Sequence, residues 1–222
     1  MSTIQLIDYE SSTHCRTACL ACRDAFPPIN RLLEGGRIYG LRSDIRGGAW
    51  ALSWALGGRS KQSSGEVLLD GVPVSNKDLS ARSCFIGEPY FPSINSCLFP
   101  GTVRSCLLKA LKTGRTGLPL DELTEKFCLT PERFDRSPTR VQHPQSWYLS
   151  AAVGFAAGKE VFCFPYLPDD TLRTVERMHE FGVLDFLRRN EKIVLLPSVH
   201  RERLASVCDE VIDITDPTST KL

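Results

Sequence analysis

The stretch Arg37-Ile38-Tyr39-Gly40-Leu41-Arg42-Ser43-Asp44-Ile45-Arg46-Gly47-Gly48-Ala49-Trp50-Ala51-Leu52-Ser53-Trp54-Ala55-Leu56-Gly57-Gly58 decides how the chain reads. Arg37 to Leu41 is a short apolar strand. A glycine-containing turn follows, then a helix from Ala49 to Leu56 that stops at Gly57-Gly58, since glycine tolerates the left-handed conformation that ends helices. Taken alone, Gly47-Gly48 is an ordinary turn. What gives it weight is the order in which the rest of the chain is built.

Downstream, Glu66-Val67-Leu68-Leu69-Asp70-Gly71-Val72-Pro73-Val74 has two apolar runs about an Asp-Gly turn and reads as a hairpin. Thr102 to Leu129 is helical in pattern, with Val103, Cys106, Leu107, Ala110 and Leu111 on one face and a loop over Thr113 to Pro119. Pro131 to Pro144 is polar and turn-rich. Tyr148 to Ala157 is apolar almost throughout. Val161-Phe162-Cys163-Phe164 and Ile193-Val194-Leu195-Leu196 are continuously apolar, as strands buried on both faces of a parallel sheet are. A helix over Thr171 to Arg189, with Asp170 as its N-cap, lies between them. A last helix over Arg201 to Cys208 leads into the strand at Val211 to Ile214. The expected fold is an α/β three-layer core with a mostly parallel sheet, an N-terminal antiparallel β portion, and a helical insertion over residues 98–150 within one domain.

Composition excludes several classes. Hydrophobic residues at 42% and charged residues at 24% of 222 are ordinary globular values, and a net charge of +1 offers no nucleic-acid surface. No apolar run reaches the roughly 18 residues of a membrane span, and Met1 to Gln5 begins no secretory leader. Nine cysteines then read as reduced cytosolic thiols. Cys84, Cys106, Cys128, Cys163 and Cys208 stand singly in apolar stretches, as small buried hydrophobes do. Cys15, Cys19 and Cys22 differ: their C-x3-C-x2-C spacing is that of iron–sulfur ligands in radical SAM enzymes.

Gly40 to Leu52 resembles the phosphate loop of an ABC-transporter ATPase, and Ser64 to Val74 resembles the hairpin that closes that family's first subdomain. Further landmarks follow in order. Arg82 to Pro89 resembles the strand into the Q-loop, with Glu88 near the missing glutamine. Val141-Gln142-His143-Pro144-Gln145 stands at the signature position, Lys159 to Tyr166 on the Walker B strand, and Leu195 to His200 on the strand ending in the switch histidine. Asp209 to Ile212 matches the closing strand. The resemblance covers residues 37–214 and implies a P-loop NTPase-like cassette that binds ATP, works at the cytoplasmic face of a membrane, and pairs with another ABC subunit or a permease. No nucleic acid and no direct membrane insertion are expected.

Against G-x-x-x-x-G-K-[ST], whose amides cradle phosphate while lysine and hydroxyl hold the β/γ oxygens and Mg²⁺, the matched positions are Ser43, Gly48, Ala49 and Trp50. The nucleotide-binding candidates are therefore Ser43, Asp44, Gly47, Gly48, Ala49, Trp50 and Ala51, a degenerate loop. Pro165 and Tyr166 replace the Walker B carboxylates, and a phenol titrating near pH 10 is a poor base at neutral pH. Only His200 persists among the catalytic landmarks. The resemblance thus implies a pseudoenzyme with a structural or regulatory role, with weak ATP binding at most and no Mg²⁺ expected. Two alternatives stand beside it: a genuine ATP-binding cassette with an atypical loop, and an iron–sulfur enzyme built on Cys15, Cys19 and Cys22.

Overall fold

The computed structural model describes residues 2–17, 20–86, 101–114, 116–141 and 143–214, with residues 14–17, 20–22, 62, 133 and 139 described by their backbone only. Glu88, Gln142 and the tail after Ile214 lie outside the described residues, as do the side chains of Cys15 and Cys22 and the whole of Cys19.

The strands run β1 (Thr3–Thr17), β2 (Leu20–Glu34), β3 (Arg37–Arg42), β4 (Gln62–Leu69), β5 (Val72–Pro73), β6 (Ser83–Phe85), β7 (Val161–Cys163), β8 (Ile193–Ser198) and β9 (Glu210–Asp213). The helices are α1 (Ala49–Leu56), α2 (Asn76–Arg82), α3 (Val103–Gly114), α4 (Leu120–Lys126), α5 (Gln145–Ala156), α6 (Asp169–Glu180), α7 (Val183–Arg189) and α8 (Arg201–Ala205). Among the described residues the strands form two sheets, an antiparallel one in the order β2-β1-β4-β5 and a parallel one in the order β6-β7-β8-β3-β9.

The parallel sheet is the middle layer, and its side chains alternate between two cores. Tyr39 and Leu41 of β3, Val161 and Cys163 of β7, and Ile193 and Leu195 of β8 pack with α1 and the antiparallel sheet. Ile38, Phe162, Val194 and Leu196 pack with α5, α6 and α7 on the other side. Period-two alternation with both faces covered explains why these strands read as unbroken apolar runs. Each such side chain contributes about 1.5–3 kcal/mol by leaving water.

The helices follow local chemistry. Ser75 and Asp78 form a reciprocal capping box at the start of α2. In α6, Leu172, Val175 and Met178 are buried, Asp169 and Asp170 sit in the first turn, and Arg177 and His179 in the last, so the charges oppose the helix dipole. The single helix expected over Thr171 to Arg189 is two helices, because Gly182 takes a left-handed conformation at φ 74° and redirects the chain. Asp170 is not the cap either. Pro168 holds that position, and the Asp170 carboxylate accepts from the adjacent Thr171 N–H, 2.8 Å away. The last helix ends at Ala205, short of Cys208.

The isolated cysteines Cys84, Cys106, Cys128, Cys163 and Cys208 are free thiols. Burial pushes the Cys84 thiol up to about 11 and raises that of Cys163, which is 0% exposed. Because the thiolate is the reactive form and both values are raised, reactivity appears only on the alkaline side. Iodoacetamide at pH 8 is expected to leave Cys84 and Cys163 unmodified in the native protein and to label both after denaturation. Peptide mass spectrometry reads this directly, and rapid native labelling of Cys163 would contradict the packing described.

Candidate functional site

The carboxyl ends of β3, β7 and β8 meet at one edge of the parallel sheet, the edge at which open α/β folds place ligands. β3 runs into the loop Ser43 to Gly48 and then into α1. Ser53 Oγ on α1 donates to the Phe164 carbonyl at 2.7 Å, tying the helix to the end of β7. Ser198 Oγ at the end of β8 donates to the Leu167 carbonyl at 2.8 Å, and the His200 N–H donates to Ser198 Oγ at 3.3 Å. His200 is half-buried and precedes α8, which Arg203 clamps to α6 through Glu176 at 2.7 and 2.8 Å and through Asp169. Ser43, Gly48, Ala49, Trp50, Pro165, Tyr166 and His200 thus stand on segments that converge on one sheet edge.

The loop carries a hydrogen-bond pattern the sequence did not disclose. Gly48 N–H donates to Asp24 Oδ1 and Ala51 N–H to Asp24 Oδ2, both at 2.8 Å. Ala49 N–H donates to Ser43 Oγ at 3.1 Å, and Gly47 N–H to the Asp44 carbonyl at 2.8 Å. The Gly47, Gly48, Ala49 and Ala51 amides are therefore bonded to this chain's own oxygens. Asp24 belongs to β2 and is 5% exposed, and Ser43 is 2% exposed. A buried carboxylate on two N–H groups at a helix N-terminus is favourable on both counts, through charge-assisted hydrogen bonds and the dipole.

β2 lies directly on the turn. Gly48 has φ 102°, and a β-carbon built there would fall 2.5 Å from Phe26 Cβ and 2.7 Å from the Ala25 carbonyl. Ala49, where a lysine would stand, is 1% exposed within the core shared with β1 and β2. Trp50 is half-buried with its ring 5.4 Å from that of Trp54, which in turn meets Phe85 at 5.1 Å. The pair lines the margin of the core rather than its interior. Asp44 is exposed and pairs with Arg42 at 3.2 Å. Tyr166 is half-buried, and burial, with the charge of Asp24 added to it, raises its phenol above the ordinary value. The raised phenol leaves Tyr166 with still less phenolate near neutral pH than an ordinary tyrosine.

The segment at the expected signature position lies elsewhere. Val141 packs against the helical core, His143 Nε2 is 3.4 Å from Thr174 Oγ1, and the His143 ring meets Trp147 edge-on at 5.0 Å. Pro144 precedes α5, and Gln145 opens it. This segment and the loop belong to different layers. A surface cleft of about 490 Å³, bounded by Glu10, Ser12, Arg23, Phe26, Ser63 and Ser64, opens along the β1–β2 hairpin, and no loop residue lines it.

Asp24 was within reach of sequence reasoning. On a strand, residues two apart share a face, so Asp24 lies on the face of Phe26, which is 4% exposed. The strand had to be recognised first.

No protein-family model matches the chain, and no curated protein does. Solved structures match over nearly its whole length. CbiO1 from Clostridium perfringens, part of the ABC transporter complex cbiONQ, superposes with a TM-score of 0.64 at 14% identity, over 95% of this chain and 84% of that one. MJ0796, a bacterial ABC transporter cassette in a dimeric structure, gives a TM-score of 0.64 at 14% identity over 95% and 94%. A bacterial Atm1-family ABC exporter with ATP bound gives 0.62 at 12% identity over 96% of this chain and 37% of that one. The chain has the P-loop NTPase-like fold of ABC-transporter nucleotide-binding domains.

Proposed function

We propose that this chain is an ABC-cassette-like subunit that does not turn over ATP, serving as a structural or regulatory partner of an intact ABC subunit or a membrane permease. The observation that carries the reading is the Asp24 carboxylate bonded to the Gly48 and Ala51 amides. These are the groups on which a phosphate loop relies. A nucleotide phosphate would have to displace a buried carboxylate while meeting its negative charge.

The residues at this edge do not fit ATP with Mg²⁺. The ammonium of a Walker A lysine is replaced by the buried methyl of Ala49, the metal-binding hydroxyl by Trp50, and the strand carboxylates by Pro165 and Tyr166. A single charged hydrogen bond contributes about 1.5–3 kcal/mol, so the lysine alone accounts for a 10- to 100-fold loss of affinity. ATP binding is weak at most. No carboxylate is left at these positions to orient metal or water.

The structural neighbours support a role in an assembly: one is part of a transporter complex and another is dimeric. No helix among the described residues is long and apolar enough to cross a membrane, so attachment to a membrane would run through a partner at its cytoplasmic face. Residues 98–150 serve in this reading as the helical subdomain inserted in a single cassette. The second reading, a genuine ATP-binding cassette, would require Asp24 to leave the loop. The iron–sulfur reading has little support, since its strand–helix order is not the one found.

Titration calorimetry of the wild-type protein with ATP and Mg²⁺ tests the proposal. The expected result is no saturable heat up to millimolar nucleotide. Micromolar binding, or turnover in the usual enzyme range of about 1–10³ per second, would overturn it.

A further inference from the structure

We infer that the β1–β2 hairpin is an autoinhibitory strap, with Asp24 acting as an internal anion that fills the phosphate loop and holds an otherwise competent anion-binding turn closed. The inference rests on the reading of the loop given above and adds that the turn beneath Asp24 keeps its binding geometry.

Three observations converge on it. The first is the hydrogen bonding: both carboxylate oxygens are used, each by a different amide of the α1 start, in the manner of a bound oxyanion. The second is steric. Gly48 accommodates β2 only because it has no side chain, a β-carbon there falling 2.5 Å from Phe26 Cβ, and its N–H donates to the Asp24 carboxylate. The third is topological. β1 pairs with β4 only as far as Ser12 opposite Gln62, whereas the β1–β2 ladder continues through Thr13 opposite Asp24 to Thr17 opposite Leu20. Asp24 therefore lies where the hairpin has passed beyond β4 and rests on the loop and α1. Such an extension can lift without dismantling the parallel sheet.

The loop itself is held in shape independently of the strap. Ser43 Oγ accepts from Ala49 N–H and donates to the Asp44 carbonyl at 2.9 Å, and Gly47 N–H closes the turn on the same carbonyl. Removing the carboxylate thus leaves a formed turn whose Gly48 and Ala51 amides have lost their acceptor. The ligand class that fits is a small tetrahedral oxyanion, phosphate being the simplest.

The test uses the full chain and inorganic phosphate, with sodium chloride at matched ionic strength as control. Asp24→Ala should melt at a lower temperature than wild type in chloride and recover saturably with millimolar phosphate. Wild type should respond to phosphate no more than to chloride. Asp24→Asn, nearly isosteric and with one acceptor oxygen, keeps the test decisive if the alanine variant does not fold. In it, hydrogen exchange should accelerate at least tenfold at whichever of Gly48 and Ala51 faces the new NH₂ group, while Leu52, bonded to the Gly48 carbonyl within α1, stays protected. A folded Asp24 variant without phosphate-specific stabilisation, or with unchanged exchange at both amides, overturns the inference. Micromolar ATP binding by the wild-type protein would defeat the proposed function and the closed strap together, whereas absent phosphate stabilisation of the Asp24 variants with no wild-type nucleotide binding would defeat the strap alone.

Discussion

Gly48→Ala is expected to destabilise the protein by about 2–5 kcal/mol, far more than Gly71→Ala, although both glycines have positive φ. The shared cost is conformational: an L-residue forced into the left-handed region loses about 1–2 kcal/mol. At Gly71 that is the whole cost, since nothing lies within 4 Å of a built β-carbon. At Gly48 the added carbon meets Phe26 Cβ at 2.5 Å and the Ala25 carbonyl at 2.7 Å. The second contact is with backbone and cannot be relieved by a rotamer change. Overpacking of this kind typically adds about 1–3 kcal/mol. Denaturant titration of both variants isolates the difference. Equal losses would mean that β2 does not rest on the loop, and the strap would lose its main steric support.

Much of the central layer was legible because one physical rule governs it. Strands buried on both faces must be apolar at every position, so Val161 to Phe164 and Ile193 to Leu196 announce themselves, and Gly57-Gly58 marks the end of α1. The turn at Asp70-Gly71 was equally local. What escaped was set by tertiary neighbours. β2 contains Pro27-Pro28 and a mixture of charges, which argues against a strand unless it lies at a sheet edge, where β2 indeed runs. β1 carries His14, Cys15 and Arg16 near its end and has no continuous apolar signal. Without that hairpin Asp24 looks like any solvated carboxylate beside Arg23. The cassette landmarks directed attention to the loop, but Asp24, which bonds the Gly48 and Ala51 amides, lies outside every landmark. The apolar period of Leu172, Val175 and Met178 carried the helix reading past Gly182, because periodicity alone does not register a change of φ.

The largest functional change is expected from combining three substitutions. Ala49→Lys with Trp50→Ser restores the loop's lysine and hydroxyl, yet this pair alone is expected to bind no ATP, because Asp24 still occupies the Gly48 and Ala51 amides. The new ammonium would also be drawn to that carboxylate and neutralise it within the fold. Adding Asp24→Ala removes the competing anion and leaves the amides, the lysine and the hydroxyl to one ligand. The triple variant should then bind ATP with Mg²⁺ at least 10-fold more tightly than Asp24→Ala alone, the lower end of what one charged hydrogen bond contributes. Removing Trp50 should cost less than the roughly 3–5 kcal/mol of a fully buried tryptophan, since its ring is only half-buried. Folding is checked first by circular dichroism, and calorimetry then compares the single, double and triple variants. Hydrolysis should stay absent in all of them, because Pro165 and Tyr166 still supply neither a metal ligand nor a base. Binding by the double variant equal to that of the triple would show that Asp24 is no obstacle. A folded triple variant that binds no nucleotide would show that the loop shares the cassette's architecture without its capacity for phosphate.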